Sequence, residues 1–268
     1  MASVDVEMTN SGVAVVRFIN PPTGLLTGSM AVALDVHISR IANDPAVRVV
    51  ILTGGQPDCF IRHFDVAELA AAADAVRAAP PPGDAEWDSS LFHRMTRCLE
   101  QMDKPTIAAI NGVCMGVGYE MALACDLRIA SRGDYRIGLP EVNIGICPGG
   151  GGTVRLTRLL GVSRALELLY TGQTCTPEQA AAFGLVNWVA ADALAEASAL
   201  AGELIARSGP ALAAIKHVSR ASADLNIEAA LTVEQRVVNT RMQSEEMAVL
   251  MRRMNELGLD IRDVRAWQ

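Results

Sequence analysis

Three short runs constrain the fold of this chain more than any other feature. Residues 48–53 (RVVILT) are almost wholly apolar and β-branched. A strand buried on both faces of a parallel sheet reads this way. Residues 105–111 (PTIAAIN) form a second run of the same kind, and residues 126–131 (DLRIAS) a third strand. Between them recurs a strand, a glycine-bearing turn at 112–118 and a short helix at 119–125. That alternation predicts an α/β fold with a largely parallel sheet.

The flanking segments fit the same architecture. Residues 4–18 alternate and then run apolar around Asn10-Ser11-Gly12, which predicts a hairpin. Residues 29–41 have helical apolar spacing, with Ser29 expected near the N-cap. Helices are expected over 65–80 and 89–101, with a proline-rich loop at 79–84 between them. From Gly152 onward the spacing is helical: 154–160, 164–170, 177–183, 194–207, 210–223, 227–242 and 245–256, with only 186–189 strand-like. The simplest organisation is an α/β core over residues 1–204 and a helical C-terminal region over 205–268.

Composition excludes several classes of protein. With 268 residues, 50% hydrophobic and 20% charged, the chain can bury a core without disulfides or metals. The longest uncharged stretches, 18–34 and 105–119, contain Pro or Gly and fall short of the roughly 20 apolar residues that span a bilayer. The first ten residues lack the basic start and apolar run of a signal peptide. Net charge is −7 with no run of like charge, so nothing favours a nucleic-acid surface. Among six cysteines no pair has CxxC spacing, which reads as buried thiols in a reducing cytoplasm. The four histidines form no HxxxH or HExxH pattern, so no metal site is expected.

Two glycine-rich turns stand out. Residues 112–118 (GVCMGVG) lie between a buried strand and a helix. Backbone N–H groups at a helix start have no partner inside the helix and suit an anion, or a carbonyl that becomes one. The spacing is neither that of a dinucleotide fold, since Met121 stands where a third glycine belongs, nor that of a P-loop. Residues 148–153 (PGGGGT) read as a tight turn into the next helix. Near these turns Glu120 and Glu141 sit in apolar stretches, an expensive setting for a charge. Brought to one site, two such carboxylates would have their pKa values pushed apart, one serving as acid and the other as base.

Residues 104–112 (KPTIAAING), 115–120 (MGVGYE), 124–130 (ACDLRIA), Pro140-Glu141 and 148–153 resemble the core signature of the crotonase (enoyl-CoA hydratase/isomerase) superfamily. The resemblance continues upstream through 44–54 and 60–69, and downstream through 170–172 and 181–186. It implies a spiral of ββα units, a helical C-terminal trimerisation region, and a homotrimer or dimer of trimers. It also implies an acyl-coenzyme A thioester as ligand, with coenzyme A entering only as part of that substrate and no separate cofactor. By position, the thioester carbonyl would sit between the backbone N–H groups of Phe64 and Val117. Glu120 and Glu141 correspond to the two glutamates of family hydratases. Arg62, His63, Asp65, Gly116, Gly118 and Gly149 would line the substrate.

The sequence departs from the family pattern in places. Arg62-His63-Phe64-Asp65 stands where Ala-Gly-Ala-Asp is usual, and Val117 replaces a frequent glycine. Residues 70–94 are longer than in compact members. The stretch 20–23 (NPPT) lacks a basic residue that commonly meets the coenzyme phosphates, for which Arg252-Arg253 would be the substitute. Retention of both glutamates favours hydration of a 2-enoyl-CoA to a 3-hydroxyacyl-CoA. Isomerisation, hydrolysis or retro-aldol cleavage on the same fold is the alternative, and a non-catalytic acyl-CoA or RNA-binding scaffold a more distant one.

Overall fold

The computed structural model describes residues 2–79 and 90–262. The hairpin forms as expected, β1 (Ser3–Met8) pairing antiparallel with β2 (Val13–Ile19). Helix α1 (Gly28–Asn43) follows, but its cap is Thr27, not Ser29. The Thr27 hydroxyl accepts the Met30 N–H, as an N-cap side chain should. Then come β3 (Val49–Gly54), β4 (Asp58–Ile61), α2 (Val66–Ala78), α3 (Leu91–Gln101), β5 (Thr106–Ile110), β6 (Gly112–Met115), α4 (Val117–Ala124), β7 (Leu127–Ser131) and β8 (Ile137–Gly138). A 3-10 turn (Glu141–Ile144) leads to α5 (Gly152–Leu160), α6 (Val162–Thr171), β9 (Thr174–Cys175), α7 (Pro177–Ala182), β10 (Trp188–Ala190) and α8 (Ala193–Ile205). Helices α9 (Gly209–Ser222), α10 (Ile227–Met242) and α11 (Glu245–Leu257) end the described chain. Most of the loop expected at 79–84 lies outside the described residues.

Among the described residues the strands make two sheets. The larger has the order β1-β2-β3-β5-β7-β10, the smaller β4-β6-β8-β9. From β3 to β8, successive strands alternate between the sheets, which is the spiral of ββα units. In the large sheet only the β1–β2 hairpin is antiparallel.

All residues of β3 and β5 are buried, because both faces of the large sheet are covered. Val49, Ile51, Ile107 and Ala109 pack toward α8, whose Ala193, Ala197 and Ala201 recur every four residues and let the helix lie close. Val50, Leu52, Ala108 and Ile110 point the other way, into the main core with Leu34 and Ile38 of α1. Truncating one of these, Ile51→Ala for example, removes a fully buried side chain and costs about 2–5 kcal/mol.

One sequence expectation needs correction here. Residues 112–115 are a strand, not part of a turn. β6 pairs parallel with β4 and with β8, and the turn proper shrinks to Gly116. Gly112 is glycine because a Cβ there would lie 1.8 Å from the Asp58 carbonyl carbon. The small sheet escapes sequence reading because its strands are two to four residues long, too short to show a period of two. The thiol expectation also shifts in part: Cys59, Cys114, Cys125 and Cys175 are buried, while Cys147 is exposed. No helix among the described residues is long and apolar enough to cross a membrane.

Candidate active site

The site grows from the junction of β6 and α4. Gly116 adopts φ +54°, a conformation that L side chains rarely hold. Its N–H donates to the Gly138 carbonyl at 3.0 Å, and its own carbonyl accepts the Glu120 N–H at 2.9 Å. Val117 opens the helix, so its N–H has no acceptor within α4. The unusual backbone falls on Gly116, and the branched Val117 takes ordinary helical geometry.

Phe64 lies in an isolated parallel bridge with Leu26. The Leu26 N–H donates to the His63 carbonyl, and the Asp65 N–H donates to the Leu26 carbonyl, both at 2.9 Å. In a parallel ladder the residue between those two groups turns its own N–H away from the partner strand. The Phe64 ring packs edge-on against Phe92 of α3, centroids 5.5 Å apart. Its bulk is thus taken up against the core, away from its backbone N–H.

Glu120, only 3% exposed, points out of α4. Its Oε1 accepts the Gly150 N–H at 2.7 Å and the Gly152 N–H at 2.8 Å. The 148–153 turn therefore does more than lead into α5, because its backbone grips this carboxylate. Burial pushes the Glu120 pKa up. Against it work the Gly152 and Gly150 N–H groups, then the charge of Arg155 and the His93 ring.

Glu141 begins the 3-10 turn, and its setting differs. Burial, opposed by its own backbone N–H and reinforced by the charge of Glu120, pushes its pKa up to about 7. Its Oε2 is buried without a partner. A methyl group on Gly116 would meet Glu141 Oε1 at 3.3 Å and the His63 Cβ at 3.4 Å. Glu141, Gly116 and His63 therefore share one wall. The His63 Nδ1 lies 2.7 Å from the Phe64 carbonyl. A carbonyl only accepts, so Nδ1 carries the proton in this contact.

The other sequence candidates lie farther from this chemistry. Arg62 is exposed, and its N–H donates to the Gly24 carbonyl. The Asp65 carboxylate caps α2 through the Ala67 and Glu68 N–H groups. Gly118 seats α4 on β4, since a Cβ there would lie 2.4 Å from the Ile61 carbonyl oxygen. Gly149 is exposed with open space beside it. Reading the sequence had missed Gly150, Gly152, Arg155 and His93. Only the glycine run signalled any of them, and it did not say which N–H groups point inward.

Two largely parallel sheets, a strand–glycine–helix turn and two glutamates, Glu120 buried and Glu141 half-buried, define a recognisable class. The chain matches the enoyl-CoA hydratase/isomerase family over residues 8–256 and belongs to that family. Its fold is shared with the enoyl-CoA hydratase of Bacillus anthracis, with a TM-score of 0.83, 27% identity and coverage of 95% of this chain and 96% of that one. An enoyl-CoA hydratase of Geobacillus kaustophilus gives 0.83 at 28% identity, covering 96% and 97%. In sequence, the fatty acid oxidation complex subunit alpha of Shewanella putrefaciens is 42% identical over 151 residues. That segment is 56% of this chain and 20% of the relative, so the chain spans only a small part of that protein's length.

Proposed function

We propose that this protein hydrates a 2-enoyl-CoA thioester to a 3-hydroxyacyl-CoA. The observation that carries the reading is the unequal treatment of two neighbouring carboxylates. Glu120 is held by two N–H donors and faces cationic groups, which favours its anion. Glu141 lacks such support and is pushed up to about 7, which favours its acid. The thioester oxygen would accept from the Phe64 and Val117 N–H groups, each good donor to the enolate being worth a few kcal/mol. Glu120 takes a proton from water as the oxygen adds at Cβ. The electron pair of the double bond moves to form the enolate, and Glu141 delivers a proton to Cα. Coenzyme A serves as the handle of the substrate, and no further cofactor takes part. The exposed apolar side chains Leu231, Val238 and Met242 of α10 support assembly as a homotrimer or dimer of trimers.

A second reading has one observation in its favour. Glu141 Oε2 has no partner, whereas Glu120 Oε1 is tied by two bonds, which favours Glu141 alone as the proton shuttle of a double-bond isomerisation. Loss of conjugated absorbance across short, long and aromatic enoyl-CoAs separates the two. For hydration, Glu120→Gln and Glu141→Gln each lower kcat by about 10²-fold or more, and the double variant loses less than the product. If Glu120→Gln keeps near-normal hydration while Glu141→Gln abolishes turnover, the two-carboxylate mechanism is wrong.

A further inference from the structure

We propose that Arg155 is a positioning residue that holds the Gly150–Gly152 backbone around Glu120, and that Glu100 and Arg220 anchor it to helix α9. The inference rests on the reading of Glu120 as the group that activates water. Arg155 sits on the first turn of α5. Its Nη1 donates to the Gly150 carbonyl at 2.9 Å, and its Nε and Nη2 grip Glu100 of α3 at 2.8 and 2.7 Å. The Gly150 carbonyl belongs to the peptide that separates the two N–H groups bound to Glu120. Fixing that carbonyl therefore fixes the direction of both donors. A second donor, the buried Thr96 hydroxyl, approaches the same carbonyl at 3.4 Å.

The space around the guanidinium supports the same role. Gly151 has φ +96°, and a Cβ on it would lie 2.1 Å from the Arg155 Nη1. The glycine run thus leaves room for the side chain that holds it. Behind Arg155 the anchoring continues. Glu100 also accepts from Arg220 of α9 at 3.2 Å, and Arg220 reaches Asp126 at 2.9 Å. Lys216, one turn earlier on α9, meets the other oxygen of Asp126 at 2.9 Å. Three cations (Arg155, Arg220, Lys216) meet two anions (Glu100, Asp126), which leaves one positive charge in surplus. That surplus favours the ionised form of Glu120 and opposes the upward push of burial. Arg is suited to this place because its planar fork meets both oxygens of the Glu100 carboxylate while a further N–H reaches the Gly150 carbonyl.

The groups that bear on the Glu120 charge are Arg155 from α5, His93 from α3 and Glu141 from the 3-10 turn. The test follows the Glu120 carboxyl itself, by carbon NMR titration of the full chain labelled at glutamate, its resonance assigned by its loss in Glu120→Gln. In Arg155→Gln the Glu120 midpoint should rise by about 0.5 pH or more. In the same variant kcat should fall about tenfold or more, with its acidic limb displaced alike and KM within about threefold. A midpoint within about 0.2 pH of wild type would overturn the proposal. So would a fall in kcat with an unmoved acidic limb.

Arg155→Lys keeps the charge and loses the fork, and it carries the test should Arg155→Gln fail to fold. Amide exchange at Gly150 and Gly152 should then quicken by about tenfold, and unchanged exchange would refute the positioning role. Failure of the underlying mechanism looks different. Glu120→Gln would hydrate substrate as well as wild type, while the titration and exchange still report what Arg155 does.

Discussion

The two sides of the site are built by opposite means. Glu120 stands on a helix, deep in the core, with two backbone donors and a charge network behind it. Glu141 stands on a single 3-10 turn whose following residues, Val142 to Cys147, are exposed. Both carboxylates are displaced upward by burial; at Glu120 the Gly152 and Gly150 N–H groups and Arg155 oppose it, at Glu141 its own backbone N–H does. Under the proposed mechanism this contrast would let two identical side chains serve as an acid–base pair. Burial pushes both carboxyls toward the acid form, and at Glu120 aimed backbone dipoles push back.

The largest effect should come from damaging the Glu120 side without touching the carboxylate. A Cβ on Gly152 would lie 2.9 Å from both the Cγ and the Oε1 of Glu120, and equally close to a methyl of Leu139. Gly152→Ala should lower kcat by about 10²-fold, since small displacements of positioned groups carry losses of that order. Steady-state kinetics at fixed pH decide the matter, and a rate within about threefold of wild type would show that the grip on Glu120 is dispensable.

A pH profile sharpens the contrast. In the proposed mechanism Glu141 donates its proton, so kcat/KM should fall as pH rises through about 7. Well above that midpoint the fall is about tenfold per pH unit. In the same mechanism Glu120 acts as the anion, so activity should also fall at low pH, with an inflection above the ordinary carboxylate value. Loss of only the alkaline limb in Glu141→Gln, measured on its residual activity, would match the assignment. Loss of the acidic limb instead would exchange the two roles.

The smallest effect is on stability. The folded chain favours neutral Glu141, so between about 4.5 and about 7 it binds more protons than the unfolded chain. Stability is therefore lost as pH rises through that window. The full displacement would amount to about 3 kcal/mol, and partial solvent exposure reduces it to about 1–2 kcal/mol. Glu141→Gln should be more stable than wild type at pH 8 by about that amount relative to the difference at pH 4. Urea unfolding at the two pH values measures it, and equal differences at both would mean that Glu141 titrates normally.

The sequence alone determined the large sheet and the helices. β3 and β5 were legible because continuous burial leaves a continuous apolar run, and α10 because a period of 3.6 persists over its 16 residues. The motifs around Glu120 and Glu141 were legible as well, since a glycine turn into a helix and a carboxylate in an apolar stretch are local features. Tertiary structure decided the rest. The small sheet consists of strands too short to carry a period, held in place by neighbours distant in the chain. Which glycine N–H groups face Glu120, and the fact that Arg155, Glu100 and Arg220 meet across three helices, depend on contacts between residues 30 to 120 positions apart. No local pattern encodes such contacts. The difference between the two carboxylates is of this second kind, because a pKa is set by what surrounds a group in space, not by its neighbours in sequence.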